Sequence, residues 1–358
     1  MDKLHPGLTQ VLLKAFYLEG LVRRLCDIEV SPWTMTWRHF LGTIAFLLLA
    51  LLFLSGAFMA FYYTPSPGAA YDSVDFAVFN LPFGEAIKGI HHYAWNLLLI
   101  VMGLHLARAF VRGTYKAPRQ GVWISGVILL LFLPMFIITG DLLPWDQKGY
   151  WSTQVRLSII ASVPVVGDIM TRLLQGGPLT GIVALTRFYV LHIVFLPVLL
   201  IILLVIHFHF ILHLGVADPL KPNDTIPARK SFFPIVVNRV LLLFLLTTLA
   251  LGLVSWFWPP PFGDPADPTD TSYIPKPEWW VLFLNQLVSI FSGSLSVVGT
   301  VIIPGGLAAL LVLLPFMDRS PERRPAKRVK VMIIASVIIL ILIWLSVIGY
   351  RAHFLTAH

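Results

Sequence analysis

Four histidines carry the chemistry of this chain. His91 and His105 lie 14 residues apart, and His192 and His207 lie 15 apart, each pair within or at the edge of an apolar run. On a helix of 3.6 residues per turn and 1.5 Å rise, either step is about four turns and roughly 21 to 22 Å. Each helix therefore presents two imidazoles on nearly one face at two depths. If the two helices run in parallel and face each other, His91 meets His192 and His105 meets His207. Paired imidazoles suit the two axial positions of an iron porphyrin held between helices of a bundle, so the spacing predicts two stacked haems. A lone histidine in an apolar span is more often a hydrogen-bonded interior group. Four at matched spacing reverse those odds, because intramembrane ionisable residues are costly and usually functional. His92 points about 100° away from His91 on a helix, and the 14-residue match selects His91.

Glycines repeat the same period. Gly42 and Gly56, and again Gly126 and Gly140, are 14 apart. A helical glycine costs stability unless something approaches the backbone closely, so these two helices are expected to pass both macrocycles. The competing reading is ordinary small-residue helix packing. Haem propionates need cationic partners: Lys88 and Arg187 flank the first histidine level, and Arg108, Arg112 and Arg119 follow the second. Each of these cations is equally suited to anchoring a helix end.

The elements that must position these residues are membrane helices. With 358 residues, 57% hydrophobic and only 12% charged, the chain is too apolar for a soluble domain and needs lipid as its solvent. Apolar runs of about twenty residues, enough for a roughly 30 Å hydrocarbon core, fall near 39–63, 93–111, 122–141, 188–212, 234–257, 295–317 and 331–350. The fold class is therefore all-α: a polytopic transmembrane helix bundle of seven spans, divided 4 + 3. Residues 1–37 form an N-terminal segment with Leu12, Leu13, Phe16 and Tyr17 beside Lys14, Arg23 and Arg24. It lacks the apolar core and cleavage site of a signal peptide, and an interfacial helix is expected there. Residues 38–215 hold the four histidines, and residues 216–358 form the three-span part. Between spans three and four, stretches 157–166 and 169–174 suit short helices on the surface. The proline-dense stretch 259–277 excludes a buried helix interior.

A net charge of +8 does not point to nucleic acid, because the charges sort by membrane side. The N-terminus and the loops at 108–119, 221–239 and 318–330 hold nineteen of the 26 Lys and Arg. By the positive-inside rule these are cytoplasmic, so the N-terminus lies inside and the C-terminus outside. The single cysteine, Cys26, excludes an intrachain disulfide, a cysteine-ligated cluster within the chain and a covalent C-x-x-C-H haem.

The histidines and glycines, with Thr139-Gly140-Asp141-Leu142-Leu143-Pro144-Trp145-Asp146-Gln147-Lys148-Gly149-Tyr150-Trp151, Leu185-Thr186-Arg187-Phe188-Tyr189-Val190-Leu191-His192 and Pro277-Glu278-Trp279-Trp280, make the chain resemble cytochrome b of the Rieske/cytochrome b (bc and bf) complexes. The resemblance covers nearly the whole chain. It looks like the chloroplast type, with a four-span cytochrome b and a three-span subunit IV fused in one polypeptide. The resemblance implies a quinol-oxidising core in a bacterial cytoplasmic or equivalent energy-transducing membrane, with two non-covalent b-type haems. Quinol would dock on the outer side against Pro144, Trp145, Tyr150, Glu278 and Trp279. One electron would go to a Rieske iron-sulfur protein and on to a cytochrome c-type carrier. The other would pass the outer level (His91, His192) and the inner level (His105, His207) to a quinone on the cytoplasmic side, near His213, with proton translocation. It also implies a homodimer of the complex within membrane lipid.

Glu278, following a proline and beside two tryptophans, is then the candidate proton acceptor in an apolar setting. The plain alternative is an acid capping the next helix. Three departures bear on the resemblance. The tetrad usually ends in tyrosine, where this chain has Trp280. Asp141 replaces a common aromatic, which makes it a second candidate proton acceptor or a modulator of the outer haem. Phe40 stands where the chloroplast-type relatives carry the cysteine of a third haem, so no covalent haem is expected. The alternatives are a di-haem anchor serving a non-Rieske partner and, from another class, a proton-coupled transporter with histidine relays.

Overall fold

The structure, a computed structural model, describes residues 29–30, 40–215, 230–231 and 235–355. The expected interfacial helix, Cys26 and most of the 216–234 linker lie outside the described residues. Apart from a two-residue antiparallel pairing of Glu29–Val30 with Lys230–Ser231 and an isolated bridge between Asp146 and Pro265, the regular structure of the described residues is helical. Among the described residues, seven helices are long and apolar enough to cross a membrane: Phe40–Tyr62, Gly84–Val111, Gln120–Asp141, Ile182–Leu214, Val237–Phe257, Val298–Met317 and Val329–His353. Large side chains such as Leu212, Leu245 and Leu340 point outward, as expected where lipid rather than water is the solvent.

Two spans begin well before their apolar runs. The second starts at Gly84 and the fourth at Ile182, because backbone hydrogen bonding sets helix length whereas hydropathy marks only the lipid-facing part. Glu85, Lys88, His91 and His92 thus ride on a helix rather than a loop. The first four spans share one core, with Leu48, Ala94, Leu98, Leu129 and Leu200 buried together. The first span packs along the second, the third along the fourth, and the fifth along the second.

The fourth span is not a uniform α-helix. Leu191–Phe195 forms a π turn in which the Leu196 amide donates to the Leu191 carbonyl. Pro197 follows; proline lacks an amide hydrogen and its ring crowds the carbonyl four residues earlier, and a widened turn relieves that conflict. The sixth span repeats the arrangement, with a π turn at Val298–Ile302 before Pro304. In the fourth span the extra residue has a consequence for the histidines. It lets the 15-residue step from His192 to His207 rotate like the 14-residue step from His91 to His105.

The connections gather at the two ends of the bundle. At one end Tyr115 and Lys116, between spans two and three, both bond Asp318, which follows span six. At the other, the Gln147 amide donates to the Asp264 carbonyl and the Ala266 amide to the Trp145 carbonyl, each at 2.9 Å. That joins the stretch after span three to the stretch after span five.

Candidate functional site

The histidine rings are held by hydroxyls and glycines that alternate along spans one and three. Ser55 donates to the Leu51 carbonyl at 2.6 Å and lies 2.9 Å from His91 Nδ1. Ser125 donates to the Gly121 carbonyl at 2.7 Å and lies 2.8 Å from His207 Nδ1. Thr139 donates to the Met135 carbonyl at 2.7 Å and lies 3.1 Å from His192 Nδ1. Each hydroxyl spends its own proton on the preceding turn and accepts from Nδ1–H of the imidazole. The tautomer so selected leaves Nε2 unprotonated, the form a metal requires. At the fourth position Leu41 stands where a hydroxyl would, and His105 Nδ1 is buried with no partner among the described residues.

The residue after each of these four positions is a glycine pressed against the same ring. A Cβ on Gly42 would stand 3.3 Å from His105, on Gly56 3.3 Å from His91, on Gly126 3.2 Å from His207 and on Gly140 only 2.6 Å from His192. The His91 and His192 ring centres are 6.5 Å apart. Two imidazoles bonded at about 2 Å to one metal between them need roughly that separation. His105 and His207 line one cavity with Met102, Tyr115, Trp123 and Gly126. Free Nε2 atoms, Cβ-free cradles and a cavity between facing imidazoles fit haem iron with two histidine ligands. The three hydroxyls were missed in the sequence reading; their signal is a Ser or Thr immediately before each of three glycines in the quartet.

Beyond Gly140 the chain turns sharply. Trp145 adopts a left-handed backbone with φ 52°, and Asp146 caps the helix Gln147–Ala161 by accepting from the Gly149 amide at 2.8 Å. On that helix Lys148 and Arg156 are two turns apart and share a face. Lys148 Nζ lies 3.1 Å from Asp141 and 2.9 Å from Glu278. Arg156 Nη2 lies 2.8 Å from Asp141 and 3.4 Å from Glu278. Two acids and two bases therefore form a closed ring across both parts of the chain. Glu278 does not cap the short helical turn Trp279–Val281 that follows it, and its setting is ionic rather than apolar, because the helix after Asp146 delivers two cations to it. Burial disfavours the Lys148 charge, but Asp141 and Glu278 outweigh it and hold the ammonium above the ordinary lysine value. Burial instead raises the Asp146 carboxyl.

The remaining candidates are spread more widely. Trp145 and Tyr150 are buried in a cluster with Leu142, Leu185 and Phe188; their rings pack inward, and Pro144 is partly buried beside them. Trp279 is exposed and donates through Nε1 to Asn96 at 2.8 Å. Lys88 reaches the Pro260 and Pro261 carbonyls and lies over the Phe262 ring. Arg187 donates to the Arg172 and Leu173 carbonyls. Arg119 donates to the Gly215 carbonyl at 2.8 Å, and Arg108 follows His105 on the same helix. His213 is exposed and stacks on His209; six residues of helix rotate it about 240° from His207, away from the cavity.

The chain is similar to known proteins. The family profile described as cytochrome b(N-terminal)/b6/petB matches residues 96–265, and cytochrome b(C-terminal)/b6/petD matches residues 265–355. Cytochrome b6 of Prochlorococcus marinus (strain MIT 9303) is 38% identical over 180 residues, covering 50% of this chain and 83% of that protein. Cytochrome b6 of Synechococcus sp. (strain CC9605) is 37% identical over the same length and shares. A solved chain titled "Hyperthermophilic respiratory Complex III" superposes with a TM-score of 0.80 over 96% of this chain and 91% of its own length; at 24% identity it speaks for the fold. The chain belongs to the cytochrome b family, as the b-type-haem-binding membrane redox subunit of a bc/b6f-type complex, with b6-like and subunit IV-like parts in one polypeptide.

Proposed function

We propose that this chain is the core of a quinol-oxidising complex that passes electrons to a cytochrome c or similar carrier, and that it divides by role after the fourth span. Residues 38–215 supply His91, His192, His105 and His207 as ligands of two non-covalent b-type haems. Residues 216–358 bring Glu278 to the first of these levels. The observation that carries this reading is that Glu278 shares Lys148 and Arg156 with Asp141, which stands one residue beyond the glycine that cradles His192. Proton acceptor and histidine level thus meet at one end of the bundle.

Glu278 takes a quinol proton at the outer side, with Asp141 as the second acid of that site. When bound, each haem supplies a one-electron redox centre, and two at different depths link the outer quinol to a quinone on the cytoplasmic side. The hydroxyls of Ser55, Thr139 and Ser125 fix their histidine rings, and the packed spans exclude water from the path between the levels. Charge bias sets the His91 level outside and the Tyr115 end inside. The other quinol electron leaves through a Rieske iron-sulfur protein to a cytochrome c-type carrier, and protons are released outside and taken up inside. The complex works as a homodimer.

The test is a redox titration of the complex purified from its membrane, with identification of its subunits. Two b-type midpoints and a copurifying Rieske protein are expected. A different iron-sulfur partner would mark the chain as a di-haem anchor, and absence of a b-type absorption band would remove both redox readings.

A further inference from the structure

The ring of charges contains a donor that its own geometry does not use. Arg156 reaches both carboxylates through Nη2, while its Nη1 is buried and has no hydrogen-bond partner among the described residues. A guanidinium presents its donors as a rigid planar fork. A buried N–H left without an acceptor is costly, so the position is explained by an acceptor that arrives with a ligand. Each acid oxygen of the ring faces one cation, Glu278 meeting Lys148 through Oε1 and Arg156 through Oε2 and Asp141 doing the same through Oδ1 and Oδ2, and none of them accepts from Nη1. The missing acceptor is thus supplied from outside the ring, next to the proposed proton acceptor.

We propose that Arg156 is a substrate-contacting catalytic residue of the outer quinol site, whose free Nη1–H donates to the quinol oxygen while its Nη2 holds Glu278 and Asp141. The proposal rests on the reading of Glu278 given above and deepens it. In the step it serves, the quinol O–H bond breaks, a carboxyl O–H bond forms on Glu278, and the negative charge passes from the carboxylate to the quinol oxygen. No electron moves in that step. The new oxyanion meets the Arg156 guanidinium, a preformed donor placed where charge develops. Asp141 keeps both cations paired after Glu278 has been neutralised. The ring is 12% exposed at Glu278, 15% at Asp141, 18% at Arg156 and 42% at Lys148, so the guanidinium acts in a partly dry setting where its charge is weakly screened. The other groups within electrostatic reach are His92 on the second span, which feels Lys148 and Asp141, and Asp146 and Tyr273, which feel the same pair.

The test measures quinol oxidation by the purified whole complex against pH, with a short-chain benzoquinol and a short-chain naphthoquinol as probes. Arg156→Gln is expected to lower kcat about 100-fold, the scale of losing one oxyanion donor. It is also expected to move the acid limb of the profile up by about one pH unit, because a cation beside the proton acceptor is gone. Arg156→Lys should return the acid limb to its original place and recover only part of kcat, since an ammonium keeps the charge but not the fork. Asp141→Asn should move the acid limb the opposite way and cost less than tenfold in kcat. Turnover of Arg156→Gln within threefold of the unaltered complex, or a profile that does not move, would overturn the proposal. If Arg156→Gln does not assemble, Arg156→Lys decides: full kcat overturns the proposal, and a reduced kcat with an unmoved acid limb supports it. Glu278→Gln separates the two levels of inference, because full quinol turnover in that variant removes the outer-site reading itself.

Discussion

The two ends of the bundle bind charge in opposite ways. At the Asp141 end, two acids and two bases share a partly exposed ring that retains an unused donor. At the Tyr115 end, Lys116 and Asp318 form a pair 2.7 Å apart and almost wholly buried, with Tyr115 and Ser320 also bonded to it. Arg328 lies over the Tyr115 ring beside them. The first arrangement can give up one charge and remain paired. The second rests on one carboxylate, Asp318, which faces Lys116 and, at 4.0 Å, Arg328, and it acts as a lock between the loop after span two and the loop after span six. The histidine levels differ in a parallel way. Both Nδ1 atoms of the His91/His192 level have hydroxyl acceptors, whereas His105 at the other level has none.

The comparison breaks most readily at Gly140. A Cβ there would stand 2.6 Å from His192, against 3.3 Å for Gly42 and His105. Gly140→Ala should abolish one b-type component in a redox titration while Gly42→Ala keeps both; equal behaviour would show that the closer approach at Gly140 has no consequence. Next in size is the lock. Asp318→Asn leaves a buried, unpaired Lys116 and should cost about 3–5 kcal/mol, seen as a lower thermal unfolding midpoint of the detergent-solubilised complex with the quinol-oxidation pH profile unmoved.

Burial would raise the Asp318 carboxyl, but hydrogen bonds from Lys116 and Tyr115 outweigh it and hold it below the ordinary carboxylate value. Its stabilisation is therefore fully present above the unfolded value of about 3.9 and lost as pH falls through the lower folded value. The midpoint difference between the two proteins should shrink over that window.

Smaller again is Ser125→Ala, which removes the acceptor of His207 Nδ1 and should weaken haem retention about 10- to 100-fold. The smallest effect, a few-fold gain in retention at the same level, is expected for Leu41→Ser, which offers His105 the hydroxyl its three counterparts have. Haem loss on dilution, followed by absorbance, measures both.

Periodicity was enough to find the seven spans, the histidine pairs and the glycines, because each is a statement about one helix and about lipid as solvent. Second-level partners were less legible. Ser55, Ser125 and Thr139 are visible only once the rings are known to press on spans one and three. Nor does the spacing alone reveal the π turn before Pro197, which takes up the extra residue of the 15-residue step. Glu278 had the residue type and neighbours of a proton acceptor in an apolar pocket. Its partners Lys148 and Arg156 lie more than 120 residues earlier, and no local pattern joins them.

By itself the sequence determined the class of the molecule: its spans, their depth marks and the residue types able to bind iron and carry protons. These follow from helix geometry and from the cost of polar groups in hydrocarbon, which act locally along the chain. Tertiary structure decided which charges meet, which donor of Arg156 is left over and which histidine lacks a second partner. Those depend on distances between helices far apart in sequence, and electrostatic pairing is governed by distance and burial rather than by order along the chain.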